Sequence, residues 1–185
     1  MTGHHLLTIA GALRAGSTNR MLAAEAARLY GPQTHTVADL CLPLYDGDLE
    51  DREGIPPEVQ RLADQIAAAD ALVIATPEYN KVIPGVLKNA LDWISRTKGS
   101  PLSGKPVAIM SAAAGRAGGE RAQFSLRLAL APFRVRIVPG PEVLIADSSA
   151  AFDAEGQLKD ETARQLLVDL MEALRFEVEM LRKAR

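Results

Sequence analysis

The 185-residue sequence predicts an α/β domain built around a parallel β-sheet, and three observations support this prediction. Uninterrupted apolar runs at 71–75 and 106–110 are typical of strands buried on both faces of such a sheet. Each run is followed by a loop and then by a segment with helical periodicity. Five strands alternate with helices in this way, and connections that contain a helix join parallel strands. We therefore predict one domain over residues 1–185.

The first half of the chain follows this alternating order. We predict a strand at 6–11, a helix at 20–30, a second strand at 33–40 and a helix that begins at Pro56 and ends at Ala69. The expected buried residues are Met21, Ala24 and Leu29 in the first helix, and Val59, Leu62, Ala63 and Ile66 in the second.

In the second half, Thr76-Pro77 ends the strand at 71–75, because proline has no N–H for a ladder hydrogen bond. Pro84 begins a helix predicted from the spacing of Val86, Leu87, Ala90, Leu91 and Ile94. The remaining elements are a strand at 106–110, a helix at 120–130, a strand at 134–138 that continues at 143–145 after a bend, and a helix at 159–183.

The composition excludes several classes of function. The chain is 48% hydrophobic and 24% charged with a net charge of −2, so it has no basic footprint for nucleic acid or an anionic membrane. The apolar run near 66–76 contains Asp70 and is shorter than the ~20 residues that span a bilayer. The amino-terminal segment has no basic n-region, so we expect no secretory signal.

The single cysteine, Cys41, excludes an internal disulfide and fits a reducing compartment such as the cytoplasm. No residue that would activate Cys41 as a nucleophile is visible nearby, so an inert thiol is the preferred interpretation. The acidic residues at 46–53 lack calcium-loop spacing and a neighbouring histidine, which favours a solvated loop over a metal site.

The loop at 11–19 is predicted to bind a phosphate group. It joins a strand to a helix, and the free N–H groups and dipole at a helix start attract anions. Arg14, Ser17, Thr18 and Asn19 add side chains that can donate hydrogen bonds to phosphate oxygens. The alternative is an ordinary helix cap with a chance arginine.

Two nucleotide-binding motifs are not matched by this loop. Gly11 and Gly16 have the separation of a nucleoside-triphosphate loop, but Ser17 stands where that loop has its lysine. The pattern G-x-G-x-x-G is also absent. Two further loops, at 76–84 and 111–119, follow strand ends and offer Tyr79, glycines and backbone groups suited to a planar ring. Loops on one edge of the sheet can converge on one ligand.

These residues resemble a known family, the NADPH-dependent FMN reductases, over essentially the whole chain. The most specific match is Thr76-Pro77-Glu78-Tyr79-Asn80 followed by Ile83-Pro84-Gly85-Val86-Leu87-Lys88-Asn89-Ala90-Leu91-Asp92-Trp93. Supporting motifs are Gly11-x-Leu13-Arg14-x-Gly16-Ser17-x-Asn19, Pro43-Leu44-Tyr45-Asp46 and Gly118-Gly119-x-Arg121-Ala122-Gln123.

The resemblance implies a flavodoxin-like, doubly wound, five-stranded parallel sheet in the order 2-1-3-4-5 with helices on both faces. It implies bound FMN, with NADPH or NADH as co-substrate and a hydride passed to flavin N5 without a protein nucleophile. The electrons then go to a quinone, chromate, azo or flavin acceptor in a ping-pong cycle. A cytoplasmic homodimer or homotetramer is also implied, and the face formed by Leu87, Leu91 and Ile94 fits either a core or an interface.

The resemblance also assigns site residues. Ala12, Leu13, Arg14, Ser17, Thr18 and Asn19 are expected around the FMN phosphate, and Pro77, Glu78, Tyr79, Asn80, Lys81, Ala113 and Gly115 along the ring. No metal ligands are expected. Three departures remove hydroxyl side chains that the family often has, namely Ala12, Val82 and the pair Ala112-Ala113, so we expect weaker FMN binding than is usual.

Two interpretations of Glu78 compete, a catalytic proton donor and a turn residue held for its backbone and packing. The second is preferred, because reduced flavin can itself deliver electrons and protons. For Tyr79, contact with the flavin or the acceptor is preferred over plain packing, whereas Lys81 and Arg116 fit equally well as anion-binding or solvated charges. Trp93 is expected in a core or an interface. The rival functions are a flavodoxin-type electron carrier, which is usually more acidic, and an FMN-binding module without turnover.

Overall fold

The computed structural model describes residues 3–184, and three terminal residues, Met1, Thr2 and Arg185, lie outside the described part. The two ends of the predicted domain therefore lie outside the described residues. So do the first two residues of the amino-terminal segment, where no secretory signal is expected. The strands are β1 His5–Ala10, β2 Thr34–Val37, β3 Ala71–Thr76, β4 Pro106–Ala112, β5 Arg136–Ile137 and β6 Leu144–Ile145. The helices are α1 Thr18–Tyr30, α2 Gly47–Glu53, α3 Pro57–Ala68, α4 Gly85–Arg96, α5 Glu120–Leu130 and α6 Glu161–Lys183, with 3₁₀ turns at Ala131–Phe133 and Ser148–Ala150.

The strands form one parallel sheet in the order β2-β1-β3-β4-β5, which confirms the predicted order 2-1-3-4-5. The fifth position is shared by two short strands. β5 pairs with the start of β4, and β6 pairs with its end, where Ser111 lies opposite Leu144. The predicted last strand, interrupted by a bend and then continued, is therefore confirmed.

The two central strands are buried along their whole length, as the apolar runs predict. Their side chains alternate between two hydrophobic clusters, one on each face of the sheet. On one face, α1 and α6 cover residues such as Val73 and Met110. On the other, α3, α4 and α5 cover residues such as Ile74 and Ile109. The sheet is therefore doubly wound, with helices packed on both of its faces.

Helix α4 belongs to the core. Leu87, Leu91 and Ile94 are buried within the chain itself, which decides between the core and the interface. Trp93 is fully buried, and its indole Nε1 donates a hydrogen bond to the Pro43 carbonyl oxygen at 2.8 Å. The ring of Tyr45 meets the indole edge-on with centroids 5.0 Å apart. These contacts fix the irregular segment before α2 against α4.

The predicted buried face of α1 is wrong by about one residue. Met21 and Ala24 are exposed and Leu29 is half-buried, whereas the buried residues include Leu22, Ala23, Ala26, Ala27 and Tyr30. The helix packs against both the sheet and α6, and small alanines allow this close approach. Because several alanines lie on both sides of the helix, its apolar periodicity is weak. The sequence therefore does not determine which face of the helix is buried.

The predicted loop at 46–53 is wrong in its conformation, because residues Gly47–Glu53 form a short helix. The Asp46 carboxylate caps this helix by accepting a hydrogen bond from the Asp48 N–H at 3.0 Å. Glu50 forms an ion pair with Arg96 at 2.9 Å, and this hydrogen bond lowers the pKa of Glu50. The helix buries no residue, so no hydrophobic periodicity announces it in the sequence.

The amino end of the sheet is held by a buried polar cluster. His4 Nε2 donates to Glu179 at 2.6 Å, because a carboxylate only accepts, and Nδ1 forms a hydrogen bond with the Tyr30 hydroxyl at 2.7 Å. Burial raises the pKa of Tyr30 to about 12, so the phenol stays protonated. The cluster joins β1, α1 and α6 at the sheet edge opposite the loops described below.

We expect Gly118→Ala to destabilise the fold strongly. Gly118 has a φ of +58°, and a Cβ there would lie 2.7 Å from the Leu144 carbonyl carbon, which belongs to backbone and cannot move aside. Backbone strain and the clash together cost about 3 kcal/mol. Gly31→Ala is the control, because Gly31 has a φ of +61° but open space, so strain alone costs about 1 kcal/mol. Urea unfolding measures both, and equal losses contradict the steric argument.

Candidate functional site

The three loops singled out in the sequence meet in one cleft. β1, β3 and β4 are adjacent and parallel, so their carboxyl ends lie at the same edge of the sheet. The cleft has a volume of about 350 Å³. Predicted residues that line it are Arg14, Ser17, Thr18, Asn19, Pro77, Glu78, Tyr79 and Ala113. Residues that sequence reasoning did not select are Gly16, Ala112, Ala114, Ser148 and Ser149.

Other predicted residues do not line the cleft: Ala12, Leu13, Asn80, Lys81 and Gly115. Within the first loop, Ala12 is buried, whereas Leu13 is exposed. Asn80 and Lys81 lie at the tip of the second loop. These residues belong to the predicted loops, but other residues of the same loops line the cleft.

The first loop ends at the amino terminus of α1. Ser17 caps the helix, since its Oγ accepts a hydrogen bond from the Asn19 N–H at 3.2 Å, and the Ser17 N–H donates to the Arg14 carbonyl at 3.1 Å. Within residues 3–184 the exposed Arg14 guanidinium has no hydrogen-bond or ion-pair partner. A free guanidinium beside a helix start is suited to an anion.

Asn19 is occupied inside the protein. Its Nδ2 donates to the Ala112 carbonyl at 2.7 Å, and its Oδ1 accepts from the Ala112 N–H at 3.0 Å. The residue is 1% exposed. One of the two Nδ2 hydrogens and the Oδ1 atom are therefore used within the fold, and the second Nδ2 hydrogen belongs to a side chain that is almost fully buried. Asn19 instead joins the start of α1 to the end of β4.

The segment after β6 forms a fourth wall of the cleft. The Thr18 hydroxyl donates to Ser148 Oγ at 3.2 Å, and the Ser148 N–H donates to the Ala113 carbonyl at 3.2 Å. The sequence describes this segment only as polar and irregular. Its place at the cleft follows from the pairing of β6 with β4, which local periodicity does not reveal.

The second loop is a tight hairpin. Tyr79 and Val82 exchange backbone hydrogen bonds of 3.1 and 3.2 Å, and the two residues between them have φ angles of +51° and +77°. Two positive φ angles in sequence are the pattern of a type I′ turn. The turn holds Tyr79 at the cleft with 53% of the residue exposed, so its ring is available to a ligand.

Glu78 supports the helix that follows the third loop. Its Oε2 accepts hydrogen bonds from the Arg121 and Ala122 N–H groups at 3.2 and 3.4 Å. The residue at the N-cap of α5 is Gly119, which has no side chain to serve these groups. The contact agrees with the preferred interpretation of Glu78 as a residue that holds structure.

The third loop presents small side chains to the cleft. Ala112, Ala113 and Ala114 line it, and the Ala113 N–H donates to the Ile145 carbonyl at 3.0 Å. Both backbone polar groups of Ala113 are thus used within the fold. The loop offers close approach to a flat ligand rather than a set of side-chain donors.

Other candidate chemistry lies elsewhere. Cys41 is exposed between β2 and α2 and does not line the cleft. Among residues 3–184, no group of three or more histidine, cysteine, aspartate or glutamate side chains is placed to hold a metal ion. In the same part of the chain, no helix has the length and apolar character to cross a membrane.

Comparisons with known proteins agree on one family. Residues 5–150 match the family model described as NADPH-dependent FMN reductase. The chain is 47% identical over 179 residues to the NAD(P)H-dependent FMN reductase of Pseudomonas aeruginosa, covering 96% of each protein. It is 42% identical over 144 residues to the quinone reductase of Escherichia coli K12, covering 75% of this chain and 76% of the relative.

A solved structure agrees with these matches. The flavoenzyme NAD(P)H:(acceptor) oxidoreductase FerB of Paracoccus denitrificans superposes with a TM-score of 0.85 and 31% identity. The match covers 96% of this chain and 98% of FerB.

We expect Asn19→Ala to destabilise the fold by about 2–4 kcal/mol, because the Ala112 N–H and C=O groups are left buried and unpaired. Asn89→Ala is the matched control. Asn89 also bonds backbone through both side-chain atoms, at Pro43 and Tyr45, but it is half-buried and water can replace it. Thermal and urea unfolding measure the two losses, and a loss at Asn19 no larger than at Asn89 contradicts the assignment.

Proposed function

The chain belongs to the family of NADPH-dependent FMN reductases, and from this premise we propose that the cleft at the ends of β1, β3 and β4 is its FMN-binding and reaction site. The protein is an oxidoreductase that uses FMN and NAD(P)H. Its curated relatives include a quinone reductase, which supports a small-molecule acceptor.

The observation that carries the proposed site is the unpaired Arg14 guanidinium beside the capped start of α1. A phosphate monoester is a dianion, so it gains from a guanidinium and from a helix dipole at the same point. Among residues 3–184, no carboxylate is paired with Arg14. We therefore place the FMN phosphate at Arg14 and Ser17.

The rest of the cleft fits a planar ring. Tyr79 and Pro77 form one side, and the small residues from Ala112 to Ala114 form the other. Such a surface lets a flat ligand approach backbone closely without displacing large side chains. We propose that the ring lies between the second and third loops, with Asn80, Lys81 and Gly115 at its rim.

When bound, FMN supplies the redox chemistry by accepting a hydride from NAD(P)H and passing the electrons to the acceptor. The residues of the chain position the cofactor. Tyr79 offers an exposed ring beside the cleft, and Glu78 fixes the start of α5 through two backbone N–H groups. Because the carboxylate already accepts these hydrogen bonds, we assign Glu78 to positioning and not to proton transfer.

The open cleft favours an acceptor that binds in the same space as the nicotinamide. A quinone is planar, as the nicotinamide ring is. The small residues in the walls of the cleft let such a ring bind by its shape, without a specific hydrogen bond to a side chain. We propose quinones as the acceptor class, on the strength of the relatives and of this geometry. We further propose a cytoplasmic protein whose single domain spans residues 1–185, because NAD(P)H and the reduced Cys41 thiol belong to that compartment.

We also propose that the chain forms a homodimer or homotetramer through the outer face of α5. Phe124 and Leu128 are 58% and 76% exposed, one helical turn apart, and Val82 at the hairpin is 49% exposed. Ser125 joins the two elements by accepting a hydrogen bond from the Ile83 N–H at 3.0 Å. An exposed apolar surface of this kind is typical of an interface.

Light scattering of the wild type and of Leu128→Glu measures the oligomeric state. A monomeric wild type contradicts the proposed assembly.

The test of the proposed function is an anaerobic stopped-flow experiment on the FMN-loaded protein. NADPH and then NADH are mixed with it, followed by a quinone, and the flavin absorbance band is recorded. Bleaching by a nicotinamide and recovery with the quinone support the reductase cycle. Stoichiometric FMN without bleaching by either nicotinamide overturns it in favour of an electron carrier or a binding module.

We expect Arg14→Ala to weaken FMN binding about tenfold or more, because a charge-assisted hydrogen bond to the phosphate is lost. Arg61→Ala is the control, since Arg61 is exposed on α3 and, like Arg14, has no partner within residues 3–184. Flavin fluorescence titration of the apoprotein gives both dissociation constants. Equal constants for wild type and Arg14→Ala remove Arg14 from the phosphate site.

We expect Glu78→Gln to keep most of the turnover at full FMN occupancy, since the amide oxygen still accepts the hydrogen bonds from α5. Glu78→Ala removes them and is expected to lower stability by about 1 kcal/mol. Steady-state NADPH oxidation with a quinone and thermal unfolding measure the two effects. A loss of several orders of magnitude in kcat for Glu78→Gln indicates proton transfer by the carboxylate instead.

A further inference from the structure

Two side chains predicted to donate hydrogen bonds to the phosphate form hydrogen bonds within the protein. The Asn19 amide is held by Ala112, and the Thr18 hydroxyl donates to Ser148. A hydroxyl has one proton to donate, so Thr18 has none left for a ligand. With Thr18 donating, the proton that this pair of hydroxyls still offers belongs to the next residue in the hydrogen-bond chain.

That residue is Ser148. Its Oγ receives the Thr18 proton, and within residues 3–184 its own O–H has no acceptor. Ser148 is 6% exposed and lines the cleft, and its N–H is fixed to the Ala113 carbonyl. A nearly buried hydroxyl with a free proton loses free energy unless an acceptor is provided. Because Ser148 lines the cleft, a ligand bound there can provide that acceptor.

The position of Ser148 indicates which part of the ligand it meets. Through Thr18 it adjoins the first turn of α1, where Ser17 caps the helix and Arg14 is unpaired. These are the groups of the phosphate site. Ala12 and Ala113 provide no hydroxyl in the first and third loops, so the segment after β6 supplies one from a different part of the chain.

We propose that Ser148 is a phosphate-binding residue of the FMN site, and that Thr18 is a positioning residue that directs the Ser148 proton toward the phosphate. The inference rests on the proposed FMN site and adds a residue to it. It also revises the expectation of weak FMN binding, because the hydroxyl missing from the loops is replaced.

The test is a fluorescence titration of the apoprotein with FMN and, separately, with riboflavin, which has the same ring and ribityl chain but no phosphate. Ser148→Ala is expected to weaken FMN binding about tenfold and to leave riboflavin binding within twofold. Ser103→Ala is the control, because Ser103 is an exposed serine in the turn before β4 and does not line the cleft. It is expected to change neither constant by more than twofold.

Thr18→Val separates the positioning role from direct binding and preserves the shape of the side chain. We expect a two- to threefold weaker FMN constant, and a double variant with Ser148→Ala that binds no more weakly than Ser148→Ala alone. Additive losses overturn the positioning role of Thr18. Thermal unfolding of each apoprotein checks that the variants are folded. If Ser148→Ala does not fold, the FMN constant of Thr18→Val still tests the contribution of the Thr18–Ser148 hydrogen bond.

Three outcomes overturn the assignment of Ser148: an unchanged FMN constant, an equal loss for FMN and riboflavin, or an equal loss in Ser103→Ala. A wild-type apoprotein that binds no FMN overturns the proposed function itself. If wild type binds FMN and Ser148→Ala binds it equally well, the proposed function stands and the role of Ser148 falls.

Discussion

The parallel register of β1, β3 and β4 is the constraint on which the rest of the structure depends. Ala10 lies opposite Ala75, and Thr76 lies opposite Ser111, so the three strands end at nearly the same level. Each strand then releases its loop at one edge, and the loops meet. The hydrophobic clusters on the two faces hold this register, because a slip of one residue would turn every buried side chain to the opposite face.

The polar side chains around the cleft mainly hold the loops together. Asn19 joins α1 to β4, the Ser148 hydroxyl joins the segment after β6 to Thr18 at the start of α1, and Glu78 joins the second loop to α5. Each contact links segments that are distant in sequence and so holds the loops together at the cleft. This division of labour suits a flavoenzyme, in which the cofactor carries the reactive atoms and the protein provides position and charge.

The backbone around the third loop leaves little freedom. Gly118 packs against the backbone of β6, and Gly119 places the start of α5 beside Ser111. Ser111 in turn donates to the Gly118 carbonyl at 2.7 Å. The small residues of the loop therefore serve two purposes, since they allow close packing behind the loop and a flat, open surface in front of it. A surface of this kind admits ligands by shape more than by specific hydrogen bonds.

The sequence by itself determined the fold class, the central strands, the buried faces of α3 and α4, and the three loops of the site, because these depend on local apolar periodicity and on turn residues. It did not determine the phase of α1, whose alanines lie on both sides, or α2, which buries nothing. The tertiary structure alone decided that Asn19 and Thr18 bond within the protein and that Ser148 reaches the cleft. Those contacts join residues about 90 to 130 positions apart, and only the pairing of strands brings such residues together.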